Sequence, residues 1–130
     1  MKLTVYNREN SRPAEVNYQG KRTINLNRTG AIYLSKTLSV EMGIAGDEGV
    51  NFANDEETGG WYICRTTDKS GFTVWKDKRC ARFSSGFMAH KLMEQAKVEC
   101  KSVQFMVAKM PVEMDGIIYY KIILSNPIVR

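Results

Sequence analysis

The chain has 130 residues, which suits one compact domain or two very small ones and is long enough to bury a sizeable core. Its 43% hydrophobic and 25% charged residues are typical of globular proteins and exclude the disordered, collagen-like and coiled-coil classes. The net charge is +5, no apolar run approaches the roughly 20 residues of a membrane span, and residues 1–8 lack a signal-peptide stretch.

The first half of the chain predicts short strands around one helix. In chain order we expect a strand at residues 3–6, a polar arm at 7–20, a strand at 23–27, a turn at 28–30 and extended chain at 31–34. Ser35 is the expected N-cap of a short helix, and Gly43 the left-handed residue that ends it. Strands at 50–52 and 61–64 then flank a charged turn at 55–60.

The second half predicts a similar series after a polar boundary at residues 66–71. We expect a strand at 72–75, a turn at 76–79, extended chain at 80–83, a helix from Ser84 or Ser85 to about Lys97, a strand at 103–107, a turn at 115–116 and a strand at 117–124. Met88, Leu92 and Ala96 form the apolar stripe of that helix, whereas His90 lies on its wet side.

The recurrence of this order indicates an internal repeat. Two short stretches align: Leu34-Ser35 with Phe83-Ser84, and Val50-Asn51-Phe52 with Val103-Gln104-Phe105. A half of roughly 50 residues would bury little core by itself. We therefore expect an α+β fold, in which two pseudo-repeated strand–helix–β-hairpin halves, residues 23–66 and 71–126, pack as one compact domain behind an N-terminal strand and arm at 1–22.

Basic charge is concentrated in the first 22 residues and in the segment Lys69–Arg82. Residues 66–130 carry 11 basic and 6 acidic side chains, whereas residues 1–65 carry 8 of each and include an acidic stretch from Glu41 to Glu57. Phosphate backbones are the commonest polyanions that a basic surface meets, and a charge that only keeps the protein soluble is the equally weighted alternative.

Cysteine and histidine usage predicts neither a metal site nor a cofactor. Cys64, Cys80 and Cys100 form no CxxC pair, and His90 is the single histidine, so no zinc pattern can be written. We expect buried thiols in a reducing cytoplasm.

Residues 27–65 contain a glycine, an extended stretch, a lysine at a helix start, a leucine, then Gly-Ile, Gly-Asp and a β-hairpin. The positions are Gly30, Ile32, Leu34, Lys36, Leu38, Met42, Gly43, Ile44, Gly46, Asp47 and Val50. This pattern, over about a third of the chain, resembles the AbrB/MazE/SpoVT swapped-hairpin family of prokaryotic DNA-binding proteins. The resemblance implies a prokaryotic or phage protein that contacts DNA.

The chain departs from that family where arginines commonly help to contact DNA. Ala31 and Ser39 stand at the two arginine positions, and Ser35 replaces a proline. Because the following stretch is acidic, we place the nucleic-acid site in the second half. The primary candidates are Lys76, Lys78, Arg79 and Arg82, and the secondary candidates are Lys21, Arg22 and Arg28.

These observations predict a cytoplasmic, non-enzymatic nucleic-acid-binding protein with a regulatory or accessory role, which contacts phosphates of single or double strands through a basic hairpin. Trp75 and Phe72 could stack on bases, although a core position for Trp75 is the favoured interpretation.

The alternative is a protein-interaction module of antitoxin or phage type, with a homodimer or another protein as partner. Two features suggest such an interaction: an acidic run beside a basic half, and the apolar segment 117–124, which a second subunit could cover. For that segment, an ordinary central strand is the favoured interpretation. An enzyme is the weakest option, because His90 stands alone.

Overall fold

The computed structural model describes residues 2–3, 21–44, 49–76 and 80–129. The expected arm at 7–20, nearly all of the expected strand at 3–6, and the candidate residues Lys78 and Arg79 lie outside this part of the chain.

The described residues form ten strands and two helices. The strands are β1 (Thr23–Asn27), β2 (Ala31–Ser35), β3 (Gly49–Asn54), β4 (Trp61–Thr66), β5 (Phe72–Thr73), β6 (Trp75–Lys76), β7 (Cys80–Ser84), β8 (Ser102–Val107), β9 (Val112–Met114) and β10 (Ile117–Val129). The helices are α1 (Lys36–Met42) and α2 (Gly86–Ala96).

The predicted α+β class is wrong. Strands account for 51% and helices for 17% of the described residues, and the strands form one antiparallel sheet that is nearly closed into a barrel. Periodicity located strands and helices along the chain but could not indicate which strands pair. The halves do not pack as two separate strand–helix–hairpin units, because strands of one half pair with strands of the other.

Residues 72–76 bring the two ends of the sheet together. The strand order is β5-β3-β4-β10-β8-β1-β2-β7-β6, and Val74 alone separates β5 from β6. One short segment therefore pairs with β3 through its first two residues and with β7 through its last two. At this seam the rings of Phe52, Phe72 and Phe83 pack with centroids 5.6 to 6.0 Å apart.

The strand pairing has a two-fold pattern. Exchanging β1 with the β5–β6 segment, β2 with β7, β3 with β8 and β4 with β10 reproduces every pairing on the main path, and the β2–β7 and β4–β10 pairs map onto themselves. At the centre of the β2–β7 pair Tyr33 lies opposite Arg82, with two further residue pairs on each side. Leu34 and Phe83 each follow a member of this central pair, and both side chains are buried.

The barrel interior and the two helices share one apolar core. Alternate residues of the strands point inward, among them Ile24, Ile32 and Phe105, and the helices add Leu38 and Leu92.

Both helices begin at a serine cap and end at a left-handed residue. Ser35 Oγ accepts from Leu38 N at 3.3 Å and Ser85 Oγ accepts from Met88 N at 3.1 Å. Gly43 and Lys97 have φ of 74° and 58°. The predicted cap at Ser35 and the predicted stop at Gly43 are both found.

Strand β10 begins outside the barrel. Residues Tyr120–Ile123 pair with β4 and β8, whereas residues 117–119 pair with β9. The turn between β9 and β10 has two positive φ angles, at Asp115 and Gly116, which suits a tight hairpin. We call β9 and residues 117–119 the arm. A central position is thus wrong for Ile117 and Ile118, both of which are exposed.

Candidate nucleic-acid interface

The outer surface of β2 and β7 follows from the alternation of their side chains. In β2, Ile32 and Leu34 are buried and Tyr33 points outward; in β7, Ala81 and Phe83 are inside and Arg82 is exposed. Since Tyr33 and Arg82 are opposite each other, an aromatic side chain and a cation are adjacent on one face.

Five directly paired residues continue this face across five strands. Trp75 lies opposite Arg82, Arg82 opposite Tyr33, Tyr33 opposite Asn25, and Asn25 opposite Gln104. We call these five residues the outer row. Neighbouring strands are about 4.8 Å apart, so the row is roughly 19 Å long.

Trp75 is exposed, contrary to the prediction that it packs in the core. Its side chain is 70% accessible, whereas the preceding Val74 is 2% accessible and takes the inward position between β5 and β6. Trp75 belongs to none of the aromatic pairs that the described residues form. A large ring face therefore lies open at one end of the outer row.

Two depressions adjoin along the outer row and share Tyr33. The first, of about 760 Å³, is lined by Ala31, Tyr33, Thr73, Trp75, Arg82, Phe83 and Ser84. The second, of about 260 Å³, is lined by Lys21, Thr23, Asn25, Tyr33, Leu34, Ser35, Lys36, Cys80 and Gln104. Among the described lining residues three are cations, and none is an aspartate or a glutamate.

Of the four primary candidates, Arg82 alone is placed in the outer row. Lys76 lies opposite Ala81, whose side chain is buried, and its ammonium donates a hydrogen bond to the Ile44 carbonyl at 3.0 Å. That contact ties β6 to the end of α1. Lys78 and Arg79 are outside the described residues. The two described members of the predicted basic turn, Lys76 and Arg82, therefore lie on opposite faces of the sheet.

Of the three secondary candidates, Lys21 lines a depression, whereas Arg22 and Arg28 make contacts within the fold. Lys21 lines the second depression. Arg22 forms an ion pair with Glu41, and its Nε donates to one carboxylate oxygen at 2.5 Å. This hydrogen bond raises the pKa of Arg22 above its ordinary value. Arg28 Nε donates to the Cys100 carbonyl at 2.8 Å, which anchors the β1–β2 turn to the chain before β8.

Sequence reasoning did not select four residues of this surface: Tyr33, Asn25, Gln104 and, as a site residue, Lys36. Alternation within β1, β2 and β8 could have assigned the first three to an outer face. Their proximity depends on the β1–β8 and β2–β7 pairings, which join distant parts of the chain. No local pattern encodes those pairings.

Neither protein-family models, nor curated proteins, nor solved structures gave a match to this chain. The resemblance of residues 27–65 to the AbrB/MazE/SpoVT family therefore stays a prediction. Among residues 21–44, 49–76 and 80–129 no cluster of three or more histidine, cysteine or acidic side chains could hold a metal ion. No helix in the described part of the chain has the length and apolarity to cross a bilayer.

Proposed function

We propose that this chain is a nucleic-acid-binding protein with a regulatory or accessory role, and that nucleic acid lies along the outer row. One observation carries the proposal: an exposed tryptophan and three cations, Arg82, Lys21 and Lys36, line adjoining depressions to which no described residue contributes a carboxylate. The proposed role involves no catalytic step.

Each part of this surface has a chemical use in the proposal. The cations neutralise phosphates and release condensed counterions, which supplies sequence-independent affinity. Trp75 and Tyr33 offer ring faces to bases, and the amides of Asn25 and Gln104 can donate and accept hydrogen bonds at base edges.

The position of the acidic charge favours the same face. Asp55, Glu56 and Glu57 lie in the β3–β4 turn, and β4 pairs with β10 on the far side of the barrel from the β2–β7 pair. A polyanion is repelled there and attracted at the outer row, so the charge distribution orients its approach.

The test is a fluorescence-anisotropy titration of labelled DNA, single-stranded and duplex, with the double variant Lys36→Ala/Arg82→Ala at 50 and 200 mM salt. We expect weaker binding, and a slope of log K against log salt that falls by about 0.7 to 0.9 for each phosphate that the variant no longer neutralises. Lys109→Ala removes an exposed cation that lines neither depression and is the matched control. If the double variant binds as tightly as the wild type and the Lys109→Ala control, the outer row is not the site. If the wild type binds neither single-stranded nor duplex DNA at low salt, the proposed function is wrong.

A second candidate function, protein interaction, rests on the arm. Val112, Met114 and Ile117 are exposed apolar side chains of the arm, and the pairing of Met114 with Ile117 and of Val112 with Tyr119 puts them on one face. That face borders a groove of about 490 Å³, whose rim carries Asp55, Glu56 and Glu57. Contiguous exposed apolar surface of this kind is typical of a protein-binding site.

A further inference from the structure

We infer that the outer row selects unpaired bases, so that the preferred ligand is a single strand rather than a duplex. This inference rests on the proposed function and specifies its substrate class. The geometry that supports it is the open ring of Trp75 in a row of directly paired strand residues, next to Arg82 and one strand away from Tyr33.

A base can stack on the indole of Trp75 only if one of its own faces is free. The three phenylalanines at the barrel seam pack against one another, and Tyr62 packs against Tyr119, whereas Trp75 has no aromatic partner among the described residues. Inside a duplex the faces of the bases are covered by their neighbours. Single strands can turn their bases onto aromatic side chains, and this stacking tolerates any sequence because every base has a π-face.

Arg82 stands between the two aromatic residues of the row, with Trp75 opposite on one side and Tyr33 on the other. A guanidinium in this position can pair with a phosphate while bases lie on the flanking rings. No ion pair joins Arg82 to a carboxylate of residues 21–44, 49–76 or 80–129. The charge of Arg82 is therefore not neutralised within the described part of the chain.

The shape of the face also suits a single strand. Proteins that read duplex DNA usually insert a helix or a two-stranded ribbon into a major groove about 12 Å wide. The outer row consists of side chains from β6, β7, β2, β1 and β8, which all belong to the barrel wall. Its length of roughly 19 Å is enough for several consecutive nucleotides of a single strand.

The experiment compares a labelled twelve-nucleotide thymidine strand, the matching uridine strand, and a twelve-base-pair duplex on the full chain. We expect either single strand to bind at least about tenfold more tightly than the duplex. Trp75→Ala should weaken single-strand binding by about 5- to 150-fold, the equivalent of the stacking contribution of one base. Trp75→Phe should recover part of the affinity, because it keeps a ring face. Phe87→Ala is the control, since Phe87 is 75% exposed and lines neither depression.

Intrinsic fluorescence gives a second, independent measurement. The chain has two tryptophans, and Trp61 is buried, so quenching on addition of thymidine strand should report on Trp75 and should vanish in Trp75→Phe. Arg82→Ala should lower the salt slope for the single strand by about 0.7. Binding of the duplex at least as tightly as the single strands, with Trp75→Ala unchanged, would overturn the single-strand inference and leave nucleic-acid binding standing. Absence of binding to all three ligands would overturn both.

Discussion

Gly30 combines a positive φ angle with a close approach to the backbone of another segment. Its φ is +107°, and a Cβ there would lie 3.0 Å from the Gly86 nitrogen and 3.1 Å from the Gly86 Cα. The Gly30 carbonyl also accepts a hydrogen bond from Ser85 N at 2.9 Å. The β1–β2 turn therefore rests directly on the start of α2, and this contact fixes the helix against the end of the strand pair that carries Tyr33.

We expect Gly30→Ala to lower the free energy of unfolding by about 3 kcal/mol, because left-handed strain and a backbone clash act together. Gly59→Ala is the matched control: its φ is +80° but nothing lies within 4 Å of an added Cβ. Strain alone should cost it about 1 kcal/mol. Urea unfolding followed by circular dichroism measures both. Equal destabilisation of the two variants would contradict the close approach between Gly30 and Gly86.

The arm leaves apolar side chains of directly paired strand residues uncovered. Strands of the barrel place one face inside, whereas the paired residues Met114 and Ile117 are exposed and continue toward the Tyr62–Tyr119 ring pair. Residues 117 and 118 belong to the apolar segment 117–124, whose composition is typical of a buried strand. Because β9 is their partner instead of a barrel strand, they stand clear of the core.

If the arm is an association surface, the wild-type chain should form a concentration-dependent dimer through it. A lysine at the centre of the patch, Met114→Lys, should then shift the sedimentation equilibrium toward monomer, because burying an unpaired charge is costly. Val40→Lys changes an apolar side chain of the same 58% exposure on α1 and should leave the equilibrium unchanged. A wild type that remains monomeric at every concentration, or equal behaviour of the two variants, would rule out self-association through the arm.

At the scale of the whole molecule, each half of the chain supplies the other with strands. Strand β1 lies between β2 of its own half and β8 of the other, and β10 lies between β8 and β4. The central strands would otherwise have open edges and an uncovered apolar face. The two-fold pairing makes both halves equally dependent on this exchange.

We therefore expect residues 1–69 and 70–130, produced separately, to lack cooperative unfolding, and to regain it when they are mixed in equal amounts. The cut falls in the turn between β4 and β5, outside every strand. Near-ultraviolet circular dichroism and dispersed amide signals on mixing give the measurement. A stable, cooperatively folded half would show that the exchange of strands is not needed for folding.

Local sequence patterns predict much of the element order and only part of the site. The cap at Ser35, the stop at Gly43, the buried stripe of α2 and the turn at Asp115 and Gly116 follow from short-range rules, and the structure agrees. Arg82 is predicted as a site residue from its charge, as one member of a basic cluster. The core position predicted for Trp75 is wrong because Phe72 and Val74 take the inward positions of residues 72–76, so the alternation of side chains puts Trp75 on the outer side.

The amino-acid sequence determined which segments extend, where the helices begin and end, and which side of each strand is apolar, because these depend on neighbours a few residues away. Tertiary structure decided the pairing of β2 with β7 and of β1 with β8, and hence the barrel in place of an α+β packing. It also decided that Asn25, Tyr33 and Arg82 share a face. Pairing depends on how the whole apolar surface is buried at once, and no segment contains that information alone.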